Sequence, residues 1–331
     1  MDKKVIIFSH ESDIDGLGSI ILGKIAFKKL DYVLSPNVDT LEVKFRNMLE
    51  NNKLDEYDNI YITDLMLHKP AIDIVDSDLS LSKKVKIFDH HKSSISEGYD
   101  NYSFTTIIEE DTKKRCATDI FYEYLVSNGL INRKPIFDEF AELTRLEDTW
   151  DWKKEGKKGI KAHDLAILLS SIGIEEYIDR MYMKLLKDES INLEEEKEII
   201  ENKKQEYLET LKNIWNDVEY FIDEYGNSFA SLFANYEYRN EISEYASSHS
   251  EKEIKYLIIV ALDKGDYGQK SYRRIDNNFD VSKIAEAHGG GGHASASAVN
   301  ITEEQSKHVL VLRKKNIRKA LEYIINSSYS K

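Results

Sequence analysis

Short apolar runs alternate with amphipathic stretches through the first half of the chain. Apolar residues cluster at 3–9, 31–36, 59–63 and 85–88, each run too short for a helix and flanked by polar or turn-forming residues. Between them, residues 17–29, 41–51 and 70–80 repeat their apolar positions every three to four residues, as amphipathic helices do. Strands that alternate with helices in this way predict a parallel sheet with helices on both faces. Two more helices are predicted at 118–128 and 136–147, running into the acidic and aromatic turn Asp148-Thr149-Trp150-Asp151-Trp152. Trp150 and Trp152 read as packing residues.

The pattern then changes. Residues 174–225 are heavily charged, with opposite charges three and four apart, and carry no Pro or Gly between Glu175 and Tyr225. A stiff, mostly helical connector is expected. Beyond it, strands at 228–236, 256–263, 269–276 and 294–301 are interleaved with helices at 240–248, 281–288 and 303–326. The fold class is therefore α/β: a parallel-sheet domain over 1–170, a helical linker over 171–226, and a smaller mixed α/β domain over 227–331.

Composition narrows the class. In 331 residues, 41% hydrophobic content beside 32% charged content suits globular domains rather than disorder. No apolar run approaches the ~20 residues of a bilayer span, and the N-terminus lacks the long apolar region of a signal peptide. The single cysteine, Cys116, rules out an intrachain disulfide and fits a reducing compartment, so a cytoplasmic location is expected. The net charge of −14 argues against a protein that grips long duplexes, because that affinity rests on neutralising phosphates. An anionic substrate should be short.

Polar clusters follow the predicted strands. His10-Glu11-Ser12-Asp13-Ile14-Asp15-Gly16 follows the first, Asp64 the third, and Asp89-His90-His91 the fourth; Asp148 closes a helix. Strand C-termini are where ligands collect in an open α/β sheet. Asp13 or Asp15 could instead cap the next helix, Gly16 could serve only the turn, and Asp148 or Asp151 could be a surface acid. Oxygen and imidazole donors without thiolates suit Mn²⁺, Mg²⁺ or Zn²⁺. Four neighbouring carboxylates call for about two divalent cations to balance them, and such a pair can share a hydroxide nucleophile and clamp a phosphoryl group. Late in the chain, Gly289-Gly290-Gly291-Gly292-His293 offers backbone N–H groups that can approach a phosphate closely, with a flexible turn as the plainer reading.

Together these motifs resemble the DHH phosphoesterase superfamily, which includes RecJ exonuclease, nano-RNases, family II pyrophosphatases and cyclic-dinucleotide phosphodiesterases. The match comprises the His-to-Asp-x-Asp-Gly loop, Asp64, Asp89-His90-His91, Asp148-Thr149 and the glycine-histidine run, over roughly 3–160 and 225–325. The resemblance implies one metal held by His10, Asp13 and Asp64, and a second held by Asp15, Asp64, His90 and Asp148, Asp64 bridging both. Asp13 and Asp15 lie three and five residues after His10, a spacing between those of the RecJ-like and pyrophosphatase-like members. Asp89 would orient an imidazole, and His91 would face the substrate phosphate, stabilising charge or protonating the leaving oxygen. Gly290, Gly291, Gly292, His293 and Arg273 would bind substrate. Asp151 competes with Asp148, and Arg274 with Arg273.

The expected activity is a two-metal phosphodiesterase, with Mn²⁺ ahead of Mg²⁺. It would hydrolyse short single-stranded oligonucleotides or dinucleotides to 5′-nucleoside monophosphates from the 3′ end, as an oligoribonuclease does. A homodimer is one expected assembly; membranes and long duplexes are not expected partners. Other readings are a 3′-phosphoadenosine 5′-phosphate phosphatase, a cyclic-dinucleotide phosphodiesterase, and a nucleotide-binding protein without turnover.

Overall fold

The computed structural model describes residues 3–327. Two compact units meet along the chain within one helix, the first ending at Lys203 and the second starting at Lys204.

In the first unit, β1 (Lys4–His10), α1 (Ile14–Ala26), β2 (Lys29–Ser35), α2 (Val38–Glu50), β3 (Asn59–Thr63), α3 (Lys69–Ser77), α4 (Leu79–Lys84) and β4 (Val85–Asp89) follow in order. Next come α5 (Lys92–Ser96), β5 (Thr105–Ile107), α6 (Ala117–Ser127), α7 (Pro135–Asp148), α8 (Gly156–Ile172) and α9 (Ile174–Lys187). All strand pairs in this sheet are parallel, in the order β2-β1-β3-β4-β5. Alternate residues of β1 serve opposite cores, as the strand period of two requires. Val5 and Ile7 join Leu17, Ile21, Phe121 and Phe140 on one face. Ile6 and Phe8 join Leu41, Phe45, Ile72 and Ile87 on the other. Helices therefore cover both faces, and no helix among the described residues is long and apolar enough to cross a membrane.

The charged connector is not one rod. After α9 the chain leaves the helix at Asp188, buries Ile191, and resumes as α10 (Lys197–Trp215). It then enters a strand, β6 (Glu219–Ile222), which its charged sequence does not advertise. The second unit continues with β7 (Ser228–Phe233), α11 (Arg239–His249), β8 (Tyr256–Ala261), β9 (Gln269–Arg274), α12 (Ser282–Ala287), β10 (Gly291–His293), β11 (Ala296–Asn300), α13 (Glu303–Arg313) and α14 (Ile317–Asn326). Its mixed sheet has the order β10-β11-β9-β8-β7-β6. Phe229, Tyr256, Ile258 and Tyr272 pack with Val309, Leu321 and Ile324 on one face. Leu232, Leu257 and Ile259 pack with Leu211, Trp215 and Ile242 on the other. The single terminal helix expected from the pattern is two helices, the second capped by the Asn316 side chain on Lys319 N.

Candidate metal centre

Register places the polar clusters in one row. Ser9 pairs with Thr63, and Thr63 with Phe88, so the next residues, His10, Asp64 and Asp89, stand level at the sheet's C-terminal edge. The strand order reverses direction between β1 and β3, and such a switch point opens a crevice above the strand ends. His10 and Asp64 flank it.

Each donor is aimed by its own local device. Asp13 caps α1 with Oδ1, accepting from Gly16 N at 3.0 Å, while its Oδ2 lies 2.7 Å from His10 Nδ1. One carboxylate thus acts both as a cap and as a member of the cluster. The other ring nitrogen of His10 lies 3.2 Å from Pro36 O, a carbonyl that accepts from Nε2–H and so holds the ring's orientation. Gly16 is required for a reason other than a turn: a Cβ there would sit 2.2 Å from His10 O, because α1 starts hard against the end of β1. Asp15 is fully buried and anchored by a different helix. Its two oxygens each accept a backbone N–H at 2.7 Å, from Ala117 and Thr118 in the first turn of α6.

Asp64 adopts φ 63°, a left-handed conformation rare outside glycine. From there Oδ2 reaches 3.5 Å from His10 Nδ1, and Oδ1 reaches 3.5 Å from His90 Nε2. His90 Nε2 also lies 3.5 Å from Asp148 Oδ2 and 3.7 Å from Asp15 Oδ2. Among the described residues, three groups of side chains lie close enough to share an ion: His10 with Asp13 and Asp64, Asp15 with His90 and Asp148, and Asp64 with Asp89, His90 and His91.

This arrangement fits divalent cations on three counts. Ligands about 2.0–2.2 Å from a shared ion stand about 3–3.6 Å from one another, close to the separations seen. Among the described residues, Asp64 Oδ2, His90 Nε2 and Asp148 Oδ2 are buried atoms with no hydrogen-bond partner, although buried polar atoms are normally satisfied. The charges are also poorly balanced by protein alone. Burial, then the charges of Asp13 and Asp15, push Asp64 up to about 7; burial, then Asp15, push Asp148 up to about 8. Burial works against a charged imidazole at His10 and at His90, yet the carboxylates beside them win and raise each to about 10. Protons stand where cations would.

Asp89 is also committed to hydrogen bonds of its own. It is buried, its Oδ1 lies 2.7 Å from His91 Nδ1, and its Oδ2 accepts from Ser94 Oγ at 2.5 Å. Burial alone would raise this carboxyl, but the bond to His91 holds it below its ordinary value, and the same bond raises His91. The His91 side chain is half exposed, so its other nitrogen is available at the surface of the site. Asp151 points elsewhere, with oxygens 3.4 Å from Arg145 Nη1 and 3.3 Å from Lys154 Nζ.

In the second unit the second half of the glycine run forms an edge strand, while Gly289 and Gly290 make the turn that leads into it. Gly291, Gly292 and His293 pair with Ala298, Ser297 and Ala296, and His293 is exposed. Gly292 has φ 140°, and Gly290 lies so close to β11 that a Cβ would meet Ala298 O at 2.1 Å. Arg273 is partly buried. Its guanidinium donates to Tyr272 O and Asn240 Oδ1, and its Nε has no partner among the described residues. Arg274 follows at the end of β9, its backbone N–H bonded to Ser295 O. Sequence reasoning missed Ser94 and the Ala117–Thr118 amides. The amides could have been found from the start of the predicted helix at 118, since helix N-termini favour carboxylates; nothing local marks Ser94.

Known proteins carry similar features. Residues 226–326 match the family model described as the DHHA1 domain. Oligoribonuclease NrnB of Bacillus subtilis (strain 168) is 29% identical over 314 residues, covering 90% of this chain and 73% of the relative. Among solved structures, the DHH domain of a protein described as a member of a family of ribosomal proteins aligns with a TM-score of 0.60 at 15% identity, covering 99% of this chain and 88% of that one. The pGpG-specific phosphodiesterase PggH of Vibrio cholerae aligns with a TM-score of 0.50 at 14% identity, covering 99% and 100%.

Proposed function

We propose that this chain, whose residues 226–326 match the DHHA1 domain and which is 29% identical to an oligoribonuclease over 314 residues, is a DHH-type, metal-dependent phosphodiesterase of very short oligonucleotides, working in the cytoplasm. It would release 5′-nucleoside monophosphates from dinucleotides and nano-RNA, from the 3′ end. Cleavage of phosphodiester bonds is the activity its kinship points to. The observation that carries the reading is the set of three buried atoms without a hydrogen-bond partner among the described residues, on Asp64, His90 and Asp148, at the switch point of the parallel sheet.

His10, Asp13 and Asp64 would hold one Mn²⁺, and Asp15, Asp64, His90 and Asp148 a second. When bound, divalent cations supply the charge that polarises a phosphoryl oxygen and activates water. The α6 amides fix Asp15 in place, and the carbonyl of Pro36 fixes the ring of His10. Asp89 holds the Nδ1 proton of His91, which leaves Nε2 to carry the proton given to the departing oxygen. Because Asp89 raises the His91 pKa, that imidazole stays charged closer to neutral pH, as a proton donor must. Arg273, with donors to spare, and His293, at the exposed end of β10, would bind the phosphate or the terminal nucleotide.

The test is a Mn²⁺-supplemented panel: a 5′-phosphorylated dinucleotide, a 5-mer, a 24-mer, a nucleoside bisphosphate and cyclic dinucleotides. The dinucleotide should be cut fastest, with monophosphates as the only products. Faster cleavage of the 24-mer or of the bisphosphate would overturn the reading.

A further inference from the structure

The turn after Asp148 contains a residue that the metal donors do not account for. Helix α7 ends at Asp148, Thr149 follows as its cap, and Trp150 comes next with φ 62°. Thr149 N donates to Arg145 O and Trp150 N to Glu147 O. Trp150 therefore fills the left-handed position that closes a helix, a place normally held by Gly or Asn. An indole there is strained, since its Cβ crowds the neighbouring carbonyl.

Burial does not offset that strain. Trp150 is 44% exposed, against the sequence expectation of a packing residue. Trp152, by contrast, stacks on His163 with ring centroids 4.1 Å apart and planes 9° apart. Trp150 has Lys153 Nζ 4.4 Å from its ring centroid, a cation that would favour a phosphate nearby. A strained residue kept at the surface beside a reactive centre points to function.

We propose that Trp150 is the stacking platform for one of the nucleobases flanking the scissile phosphodiester. Two residues of chain span at most about 7 Å, so the Trp150 backbone stays within that distance of Asp148, whose Oδ2 is 3.5 Å from His90 Nε2. A dinucleotide held by its phosphate at the donor cluster carries its bases about one ring's reach away. Every base has a π face, so the platform is tolerant of sequence. The inference rests on the function proposed above and supplies it with a base-binding element.

The experiment compares wild type with Trp150→Ala, Trp150→Phe and Trp150→Gly, using the full chain with Mn²⁺ and 5′-phosphorylated dinucleotides. Trp150→Ala should raise KM about tenfold for every base, a loss typical of one base–aromatic stack, with kcat changed far less and metal content intact. Trp150→Phe should recover most of the affinity. Trp150→Gly should share the KM defect yet melt at a higher temperature than wild type, because glycine takes the left-handed conformation without strain. A merely structural tryptophan would show the reverse, lower stability with unchanged KM, and that result would overturn the proposal. So would equal KM loss on a dinucleotide analogue with abasic sugars. A wild type that cuts no dinucleotide at all would remove the proposed function and the platform together; an active wild type matched by Trp150→Ala would remove the platform alone.

Discussion

Asp64 combines two costs, a left-handed backbone worth about 1–3 kcal/mol and a carboxylate buried among other acids. Both persist because that conformation sets one oxygen toward His10 and the other toward His90. The charge cost has a definite pH signature in the metal-free protein. The folded pKa of Asp64 is raised to about 7, above its ordinary 3.8, so its ionisation opposes folding as pH rises between those values. Metal-free Asp64→Asn should therefore melt above metal-free wild type at pH 8, the gap closing toward pH 4, by differential scanning calorimetry. The same variant should lose bound manganese by mass spectrometry. Asp89→Asn and His91→Asn test a separate function: each should lower kcat by about 10²-fold, the usual size of a lost proton donor, while keeping bound metal. Metal loss in either would reassign these residues to the metal shell. At this scale the clustered side chains were legible as candidates, since acids and imidazoles just past apolar runs stand out. The split roles of Asp13, cap and cluster member, were not, because a cap and a metal donor look alike in sequence.

At the level of elements, the site depends on how closely α1 begins against the end of β1. Gly16→Ala places a Cβ 2.2 Å from His10 O, so α1 must shift and carry Asp13 and Asp15 with it. The expected cost is about 1–3 kcal/mol of stability, seen as a lower melting temperature, with a larger loss of metal affinity by titration calorimetry. Unchanged metal affinity would mean that the contact between α1 and β1 has slack. The long apolar strands β1, β3 and β4 were readable because burial on both faces leaves an unbroken apolar run. Strand β5 was not, being only three residues, Thr105–Ile107, with the middle one exposed. Strand β6 lies in a charged segment where helix signals dominate, and β10 consists of two glycines and a histidine. Pairing with a neighbour makes these strands, and pairing is invisible to local pattern. The exposure of Trp150 is likewise a product of how α7 ends.

For the molecule as a whole, the net charge of −14 sets the terms of encounter with an anionic substrate. Repulsion grows with each phosphate and is screened over about 10 Å at 0.1 M salt. Raising salt from about 20 to 200 mM should therefore raise kcat/KM for a 24-mer relative to a dinucleotide, measured by product release; a basic binding groove would give the opposite trend. Each of the two units carries its own sheet with a core on either face. The sequence alone determined that layout in outline, along with the chemical kind of the donors and their positions after strands, because strand and helix periods and chain length are local properties. Only the tertiary structure decided which donors meet. Parallel register brings His10, Asp64 and Asp89 level, α6 anchors Asp15, and α7 delivers Asp148 while turning Asp151 toward Arg145. Those choices follow from contacts between residues far apart in the chain, which no stretch of sequence contains by itself.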